Sequence, residues 1–371
     1  MRVLVVAAPL SGHLTPLLPL AHALWDSGHE VLLAGGGDVH PVSGPLPFID
    51  VGRGLRVGRL AARSLVAHPV TARAELAGRG GDAAVKSLFG PVNEELTDAL
   101  VTVAEQWRPD VVVHEPLAVA GALAAARHDV PAVLHETALL DGFALVRTLL
   151  DSRPLQRARL RHGLRGVPAP AIALTIAPSS LVGARDALAV RPGRPDGARG
   201  ALPAWLDGPS VRPRVLVLRG GGPVRGDLQS SALRALEAAR ADGLDCELVL
   251  ARPPARLLRR VGPGVRTVGR VGLDELLPAC AAVLHDGGSG QVLAALAAGV
   301  PQLALPGPGD RRHNAELVAA RGAGLGGPFG PDALRRLVLD GELAAAAREV
   351  RAEIAAMPPP QARVEVLTAL A

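Results

Sequence analysis

Residues 285–301, HDGGSGQVLAALAAGVP, follow a buried apolar stretch and continue into a run with the apolar spacing of a helix. This order predicts a strand, a glycine turn and a helix that is closed by a glycine. Because Gly287, Gly288 and Gly290 have no side chains, their backbone N–H groups can approach an anion closely at the positive end of the helix dipole. The stretch therefore predicts a phosphate-binding turn.

The rest of the chain repeats this pattern, with wholly apolar strands alternating with amphipathic helices. Such alternation is typical of a parallel sheet covered on both faces. A segment rich in Pro, Gly and Arg separates two series of these elements. We therefore predict an α/β fold of two doubly wound, Rossmann-like domains that face a cleft. The expected boundaries are 1–195 for the first domain, 196–213 for the linker and 214–350 for the second domain.

Composition excludes several classes of function. The net charge is +5, but only one of the 40 basic residues is a lysine, and the arginines are scattered among acids. With 2% aromatic residues and no tyrosine, stacking platforms for nucleic acid are not expected either. Two cysteines make no disulfide framework and indicate a reducing compartment, so we expect a cytoplasmic protein. No segment reaches the roughly 18 apolar residues of a membrane span.

The N-terminal stretch MRVLVVAAPLSGHLTPLLPLAHAL predicts a first strand and helix rather than a signal peptide. His13 lies in the turn before a helix that we expect to begin at Thr15 and Pro16, where the helix dipole disfavours its protonation. Capping of the helix is the alternative role. If Glu115 lies beside His13 in space, its carboxylate would orient one ring nitrogen and leave the other to accept a proton.

Three predicted strands end in a histidine and an acid, namely His114–Glu115, His135–Glu136 and His285–Asp286. These pairs either satisfy the backbone of the following loop or serve a ligand. A metal site is the less favoured interpretation, because no local spacing such as H-E-x-x-H brings ligands together and no DxD triplet is present. Between Val42 and Ala77 the pattern weakens, and we expect loops and short elements there.

Three motifs together carry a resemblance to a known family. SGHLTPLLPLAHALWDSGHEV is similar to the opening GHxxPxLPLAxALxxxGHEV, and HDGGSGQVLAALAAGVPQLALPGPGDRRHNAELVAARGAG is similar to a nucleotide-binding signature. Both occur in GT-B glycosyltransferases of the metal-independent inverting family (GT1-like), in the actinobacterial branch that glycosylates antibiotics and other secondary metabolites. The tail AEIAAMPPPQARVEVLTAL resembles the closing segment of this branch, so the C-terminal helix over 351–371 is expected to cross back to the first domain.

The resemblance implies an inverting transfer from a nucleotide sugar to a hydroxyl of a small-molecule acceptor, without a metal or a separate cofactor. His13 would be the general base and Glu115 its orienting acid. A dTDP-sugar is the favoured donor and a UDP-sugar the alternative. The donor site would comprise Gly220, Gly221, Arg270, Val271, His285, Gly287, Gly288, Ser289, Gly290, Asp310 and Arg311.

Several positions depart from the family pattern. Gln291 replaces a threonine, Arg311 replaces a glutamine, and the tryptophan that stacks on the base is missing, so that Arg270 or Val271 would have to cover the base. RGGG at 219–222 also lacks the usual hydroxyl near the phosphates. These changes leave open a noncatalytic relative that binds or activates another enzyme. A sugar-nucleotide 2-epimerase shares the fold, but the opening and the tail disfavour it.

The chain is short for this branch, and the missing length falls in loops of the first domain that shape the acceptor pocket. A more open pocket would suit a large or carrier-presented acceptor. A helper protein or a second copy of the chain could instead complete its wall, and the sequence does not choose between these partners.

Overall fold

The computed structural model describes residues 1–37, 44–193, 203–206, 211–219, 228–259 and 261–371. The chain forms two compact units. The first comprises Met1–Ala177, Ala184–Gly197 and Met357–Ala371, and the second comprises Pro178–Gly183 and Ala198–Ala356. The chain thus returns to the first unit after Ala356, whereas we had placed the start of the returning segment at 351. Of the predicted linker, only 203–206 and 211–213 are described.

The first unit contains a seven-stranded parallel sheet in the order β3-β2-β1-β4-β5-β6-β7. Its strands are β1 (Arg2–Val6), β2 (Glu30–Gly35), β3 (Phe48–Asp50), β4 (Val111–His114), β5 (Ala132–His135), β6 (Ile172–Thr175) and β7 (Leu188–Ala189). The strand order reverses between β1 and β4, where Val6 pairs with His114. Loops at such a reversal diverge and open a crevice at the carboxyl ends of the strands. His13 follows β1 and Glu115 follows β4, so both lie at this point.

The helices described up to residue 193 are α1 (Ser11–Leu14), α2 (Leu18–Asp26), α3 (Val57–Ala67), α4 (Pro69–Leu76), α5 (Gly81–Trp107), α6 (Ala120–His128), α7 (Gly142–Leu150), α8 (Arg153–Arg161) and α9 (Ser179–Val182), with α9 in the second unit. Helices α3 and α4 contradict our expectation of loops and short pieces up to Ala77. Their Ala, Leu and Arg residues favour helix, and Leu60 packs on the core cluster that α5 also lines.

The first helix begins at Ser11, four residues before the position that we predicted. The N–H and the hydroxyl of Thr15 both donate to the carbonyl of Ser11, which continues the helical turn. Pro16 and Pro19 lack an N–H group, and residues Thr15–Leu17 wind as a 3₁₀ helix before α2 starts. His13 therefore lies within the first helical turn and not in a loop before it.

The second unit contains a six-stranded parallel sheet in the order β10-β9-β8-β11-β12-β13. Its strands are β8 (Arg214–Val217), β9 (Glu247–Ala251), β10 (Val265–Val268), β11 (Ala282–His285), β12 (Gln302–Ala304) and β13 (Gly324–Gly326). This order again reverses, between β8 and β11, and the glycine turn directly follows β11. The predicted fold of two doubly wound α/β domains is confirmed by these two sheets.

The remaining helices are α10 (Leu228–Ala241), α11 (Ala255–Leu258), α12 (Leu273–Leu276), α13 (Ser289–Ala298), α14 (Arg311–Arg321), α15 (Pro331–Leu339), α16 (Gly341–Ala356) and α17 (Val364–Thr368). Short 3₁₀ turns occur at Ala204–Leu206, Leu277–Ala279 and Pro360–Arg363. In the part of the chain that the structure describes, no helix is both long enough and apolar enough to cross a membrane.

Candidate active site

In the first unit, the structure brings His13 and Glu115 together, as the sequence predicted. Nδ1 of His13 lies 3.3 Å from Oε1 of Glu115, within ion-pair distance, although 102 residues separate them in sequence. The Glu115 side chain is 1% exposed and the His13 side chain 24% exposed. The carboxylate is thus withdrawn from water while part of the imidazole remains accessible. The His13 ring also lies tilted against Phe89, 6.1 Å between ring centroids.

Two backbone groups hold the Glu115 carboxylate in place. Oε1 accepts from the N–H of Ala8 at 3.1 Å, in the loop after β1, and Oε2 accepts from the N–H of Leu117 at 2.8 Å. The loop that carries Leu117 is in turn fixed by Asn93, a fully buried residue of α5 whose amide donates to the Leu117 carbonyl at 2.8 Å. A carboxylate with its backbone partners fixed can orient an imidazole without moving itself.

The three histidines at strand ends are buried, and each bonds the backbone of the following loop. Nδ1 of His114 lies 3.2 Å from the Glu115 carbonyl, and Nδ1 of His135 lies 2.9 Å from the Glu136 carbonyl. Since a carbonyl can only accept, both rings carry their proton on Nδ1. Burial lowers the pKa of His114 and lowers the pKa of His135 to about 4. The interpretation of these pairs as loop-supporting groups fits His114 and His135.

His285 has the opposite arrangement. Its Nδ1 accepts from the N–H of Gly287 at 3.0 Å, and its Nε2 lies 2.7 Å from Oε1 of Gln302. A backbone N–H can only donate, so Nδ1 carries no proton and the proton is on Nε2. The ring is fully buried, and burial lowers the pKa of His285 to about 4. Both ring nitrogens of the predicted phosphate ligand are thus engaged with protein groups.

The glycine turn has the geometry that an anion site requires. Gly287 has φ +81°, and a Cβ there would come within 2.7 Å of the Leu305 carbonyl oxygen, so only glycine fits. Gly288 is the N-cap of α13 and, as a glycine, has no side chain that could cap this helix start. Backbone N–H groups and the helix dipole are therefore the anion-binding groups that Gly288 leaves at this turn.

A polar network ties the turn to the start of α14. Asn314 is fully buried, and its Nδ2 lies 2.8 Å from the Gly287 carbonyl oxygen, 2.9 Å from Oδ2 of Asp310 and 3.1 Å from Oγ of Ser289. The Ser289 hydroxyl donates to the same Asp310 oxygen at 2.6 Å. The predicted donor residues Ser289 and Asp310 are therefore in direct contact with each other.

Arg311 also lies beside the turn. Its Nη2 is 3.5 Å from Oδ2 of Asp286, and its Nη1 donates to the Pro308 carbonyl at 3.1 Å. Asp286 is 4% exposed, so its negative charge is balanced by Arg311 within the protein. Arg311, one of the departures from the family pattern, thus forms an ion pair with Asp286.

Other predicted donor residues are not joined to this network. Arg270 is exposed beyond the end of β10, and Val271 packs against an apolar cluster of the second sheet. Gly220 and Gly221 lie outside the described residues. Within the described ranges, no group of three or more histidines, cysteines and acids is arranged to hold a metal ion.

Sequence reasoning did not identify Asn93 and Gln302 as contributors to the site. Each is a fully buried amide that stands among apolar residues, Asn93 in the buried stripe of α5 and Gln302 at the start of β12. A buried amide requires partners, so an amide inside an apolar pattern was the available signal. Apart from the Phe89 carbonyl on α5 itself, their partners lie on other elements and could not be named from sequence.

Comparison with known proteins agrees with this architecture. Residues 22–220 match the family described as "Erythromycin biosynthesis protein CIII-like, N-terminal domain", and residues 235–370 match its C-terminal counterpart. The chain belongs to this EryCIII-like family. Elloramycin glycosyltransferase ElmGT of Streptomyces olivaceus is 37% identical over 97% of this chain and 95% of its own length. Like this relative, the EryCIII-like chain is a glycosyltransferase.

Solved structures of glycosyltransferases share the EryCIII-like fold. SnogD of Streptomyces nogalater superposes with a TM-score of 0.83 at 32% identity, covering 100% of this chain and 99% of its own. SsfS6 of Streptomyces sp. SF2575, complexed with thymidine diphosphate, has a TM-score of 0.77 at 26% identity over 100% of this chain and 99% of its own. The predicted resemblance to GT-B glycosyltransferases of antibiotic biosynthesis is confirmed by these matches.

Proposed function

We propose that this glycosyltransferase moves a sugar from a dTDP-sugar to a hydroxyl of a secondary-metabolite aglycone, with inversion and with His13 as the general base. The observation that carries the proposal is the His13–Glu115 pair, a partly exposed imidazole 3.3 Å from a buried, backbone-held carboxylate. This is the arrangement by which an acid orients a catalytic histidine.

In the proposed reaction, His13 takes the proton of the acceptor hydroxyl, and the oxygen attacks the anomeric carbon of the donor sugar. The bond from that carbon to the diphosphate oxygen breaks as the new glycosidic bond forms on the opposite face. The diphosphate leaves with the bonding electron pair as dTDP. Backbone N–H groups of the glycine turn and the dipole of α13 meet the charge that develops on it.

Three observations support the choice of donor and acceptor. SsfS6 was solved with thymidine diphosphate, and ElmGT is named as an elloramycin glycosyltransferase. In this chain, Asp310 keeps a carboxylate at the start of α14, where a sugar hydroxyl could donate to it. A UDP-sugar is the alternative donor within the same proposal.

The base assignment is tested by His13→Ala, assayed with a dTDP-sugar and the aglycones of antibiotics, starting with that of elloramycin. We expect transfer to fall on the order of 10³-fold, since general base catalysis contributes that much, while dTDP binding stays unchanged. His68→Ala, an exposed histidine of the same unit, is the control. Undiminished transfer by the His13 variant would contradict the assignment.

The donor is tested by a thermal-shift panel of dTDP, UDP, GDP and ADP. A ligand that binds only the folded protein raises its free energy of unfolding by mass action, by about 2.7 kcal/mol at 100 times the Kd, and therefore raises the thermal midpoint. We expect dTDP to give the largest shift. No shift with any nucleotide would favour the alternative, a relative that has lost donor binding and acts as a partner of another enzyme.

A further inference from the structure

We propose that Asn93 is a positioning residue for His13, because its single amide is connected to both groups that lie against the imidazole. One of these groups is the Glu115 carboxylate, 3.3 Å from Nδ1 of His13, and the other is the ring of Phe89, 6.1 Å away between ring centroids. The inference rests on the proposed function, in which His13 is the base. It assigns to Asn93 an effect on that base which is transmitted through these two neighbours.

The first connection runs through the loop between β4 and α6. Nδ2 of Asn93 donates to the Leu117 carbonyl at 2.8 Å, and the N–H of Leu117 donates to Oε2 of Glu115 at 2.8 Å. Oδ1 of Asn93 accepts from the N–H of Ala120, the first residue of α6, at 2.9 Å. The amide therefore holds the loop in its middle and at its end, and the loop holds the carboxylate.

The second connection runs through helix α5 itself. Nδ2 of Asn93 also donates to the Phe89 carbonyl, one helical turn back, at 2.9 Å. Pro91 lies between these two residues and has no N–H for the Ser87 carbonyl, which accepts from the Ser64 hydroxyl of α3 at 2.8 Å instead. The turn that carries Phe89 thus lacks one helix hydrogen bond, and the Asn93 amide supports it.

The chemistry of the partners fixes the orientation of the Asn93 amide. The N–H of Ala120 can only donate, so it faces the amide oxygen, and the two carbonyls can only accept, so they face the amide nitrogen. Asn93 is fully buried in the apolar stripe of α5, where an amide without partners would be unfavourable. Each N–H bond of the amide is therefore used towards the segment that carries one neighbour of His13.

The charge that Asn93 helps to place is that of Glu115, since a carboxylate so close to an imidazole stabilises the protonated ring. Two other titratable side chains lie at the ends of β4 and β5. Burial lowers the pKa of His114, which favours its neutral form, and Glu136 is paired with Arg185. Glu115 is therefore the charged group through which a change at Asn93 reaches the ring.

The test compares three variants of the full chain with the wild type. Asn93→Leu has a similar branched shape and removes all three hydrogen bonds. Asn93→Thr keeps a hydroxyl that can donate to the carbonyl four residues back, as Thr97 does in the same helix at 2.7 Å, but this hydroxyl is one bond shorter than the amide and does not reach the loop. Thr97→Val is the control, because Thr97 is fully buried on the same stripe and its hydroxyl bonds within α5.

The direct measurement is the titration of the His13 ring, followed by NMR with histidine labelled at Cε1. Of the 11 histidine signals, that of His13 is the one missing from His13→Ala. We expect its titration to move to lower pH by about half a unit or more in both Asn93 variants, because a less firmly held carboxylate stabilises the imidazolium less. Sugar transfer should also fall about tenfold in kcat, since the base is less well oriented, with the Kd for dTDP unchanged. Thr97→Val should change neither the titration nor kcat.

A folded Asn93 variant in which His13 titrates as in the wild type would overturn the proposal, because a role in folding alone lowers the thermal midpoint without moving this titration. An equal shift in Thr97→Val would overturn it as well. If Asn93→Leu does not fold, Asn93→Thr decides, since its hydroxyl keeps a partner. The titration needs no substrate, so it tests the positioning by itself. A wild type that transfers no sugar would instead overturn the proposed function.

Discussion

The two sheets place a histidine near the same topological position, but they give it opposite surroundings. His13 lies at the reversal of the first sheet, 24% exposed and 3.3 Å from a buried carboxylate. His285 lies at the reversal of the second, fully buried between a glycine N–H and the amide of Gln302. Exposure beside a carboxylate suits a group that exchanges protons. Burial between two neutral partners suits a group that keeps one protonation state and holds its neighbours.

The contrast shows that a histidine near a strand end does not by itself indicate chemistry. The role of such a histidine depends on whether its ring nitrogens already have hydrogen-bond partners within the protein. In His285, both nitrogens have partners within hydrogen-bond distance in the protein. In the first unit, Glu115 lies 3.3 Å from Nδ1 of His13, and part of the ring stays accessible, as the proposed proton transfer requires.

The largest effect on the contrast between His13 and His285 is expected from substitution of Glu115, the acid beside His13. Glu115→Gln keeps the shape and an oxygen but removes the charge that orients and stabilises the imidazolium, and we expect transfer to fall on the order of 10²-fold. The Kd for dTDP should not change, because the contacts of the Glu115 carboxylate with described residues are to groups of the first unit. Steady-state kinetics with dTDP calorimetry would check both expectations. A variant that transfers sugar at the wild-type rate would remove the distinction between the two histidines.

A smaller effect is expected from the turn that His285 holds. Gly287→Ala places a Cβ within 2.7 Å of the Leu305 carbonyl oxygen at φ +81°, so the turn must shift. We expect about a tenfold weaker Kd for dTDP and a loss of about 1–3 kcal/mol in the free energy of unfolding. Gly341→Ala is the control, since its added Cβ meets open space. Normal dTDP affinity in the Gly287 variant would show that the turn geometry is not what binds the nucleotide.

The last prediction concerns stability in acid, and it tests the buried histidines directly. Burial lowers the pKa of His135 and of His285 from 6.5 to about 4. Below 6.5 the unfolded chain binds protons that the folded protein does not. The free energy of unfolding therefore has its full value above pH 6.5. It falls towards pH 4 by about 1.4 kcal/mol per pH unit for each histidine.

Urea unfolding at a series of pH values from neutral downward measures this slope. His135→Gln should remove the contribution of one histidine to the pH dependence of the free energy of unfolding. It should leave dTDP binding unaltered. A free energy of unfolding that does not change with pH in this range would mean that these rings are accessible to water. The contrast between a partly exposed His13 and a buried His285 would then be wrong.

Much of the fold could be predicted from local patterns. Apolar strands such as RVLVV and VVVH, glycine turns and amphipathic helices are readable from short windows, and their order implies doubly wound sheets. Helices α3 and α4 were missed because their segment carries glycine and arginine at many positions, and contact with α5 stabilises them. The start of α1 was misplaced because Pro16 predicted a helix beginning, whereas it lies inside a helical stretch.

The identical tetrapeptides of β5 and β11 show what local sequence patterns cannot predict. The sequence AVLH determined strand, burial and a histidine at the carboxyl end in both cases. Only tertiary structure decided which nitrogen carries the proton. In His285, the position of the proton depends on Gly287, which has a positive φ and whose N–H donates to Nδ1. It also depends on Gln302, which lies on the neighbouring strand, 17 residues after His285. In the same way, the sequence identified His13 and Glu115 as two separate candidates. Their distance of 3.3 Å results from the pairing of β1 with β4. Hydrogen bonds between strands join residues that are far apart in sequence, so only the tertiary structure brings these two together.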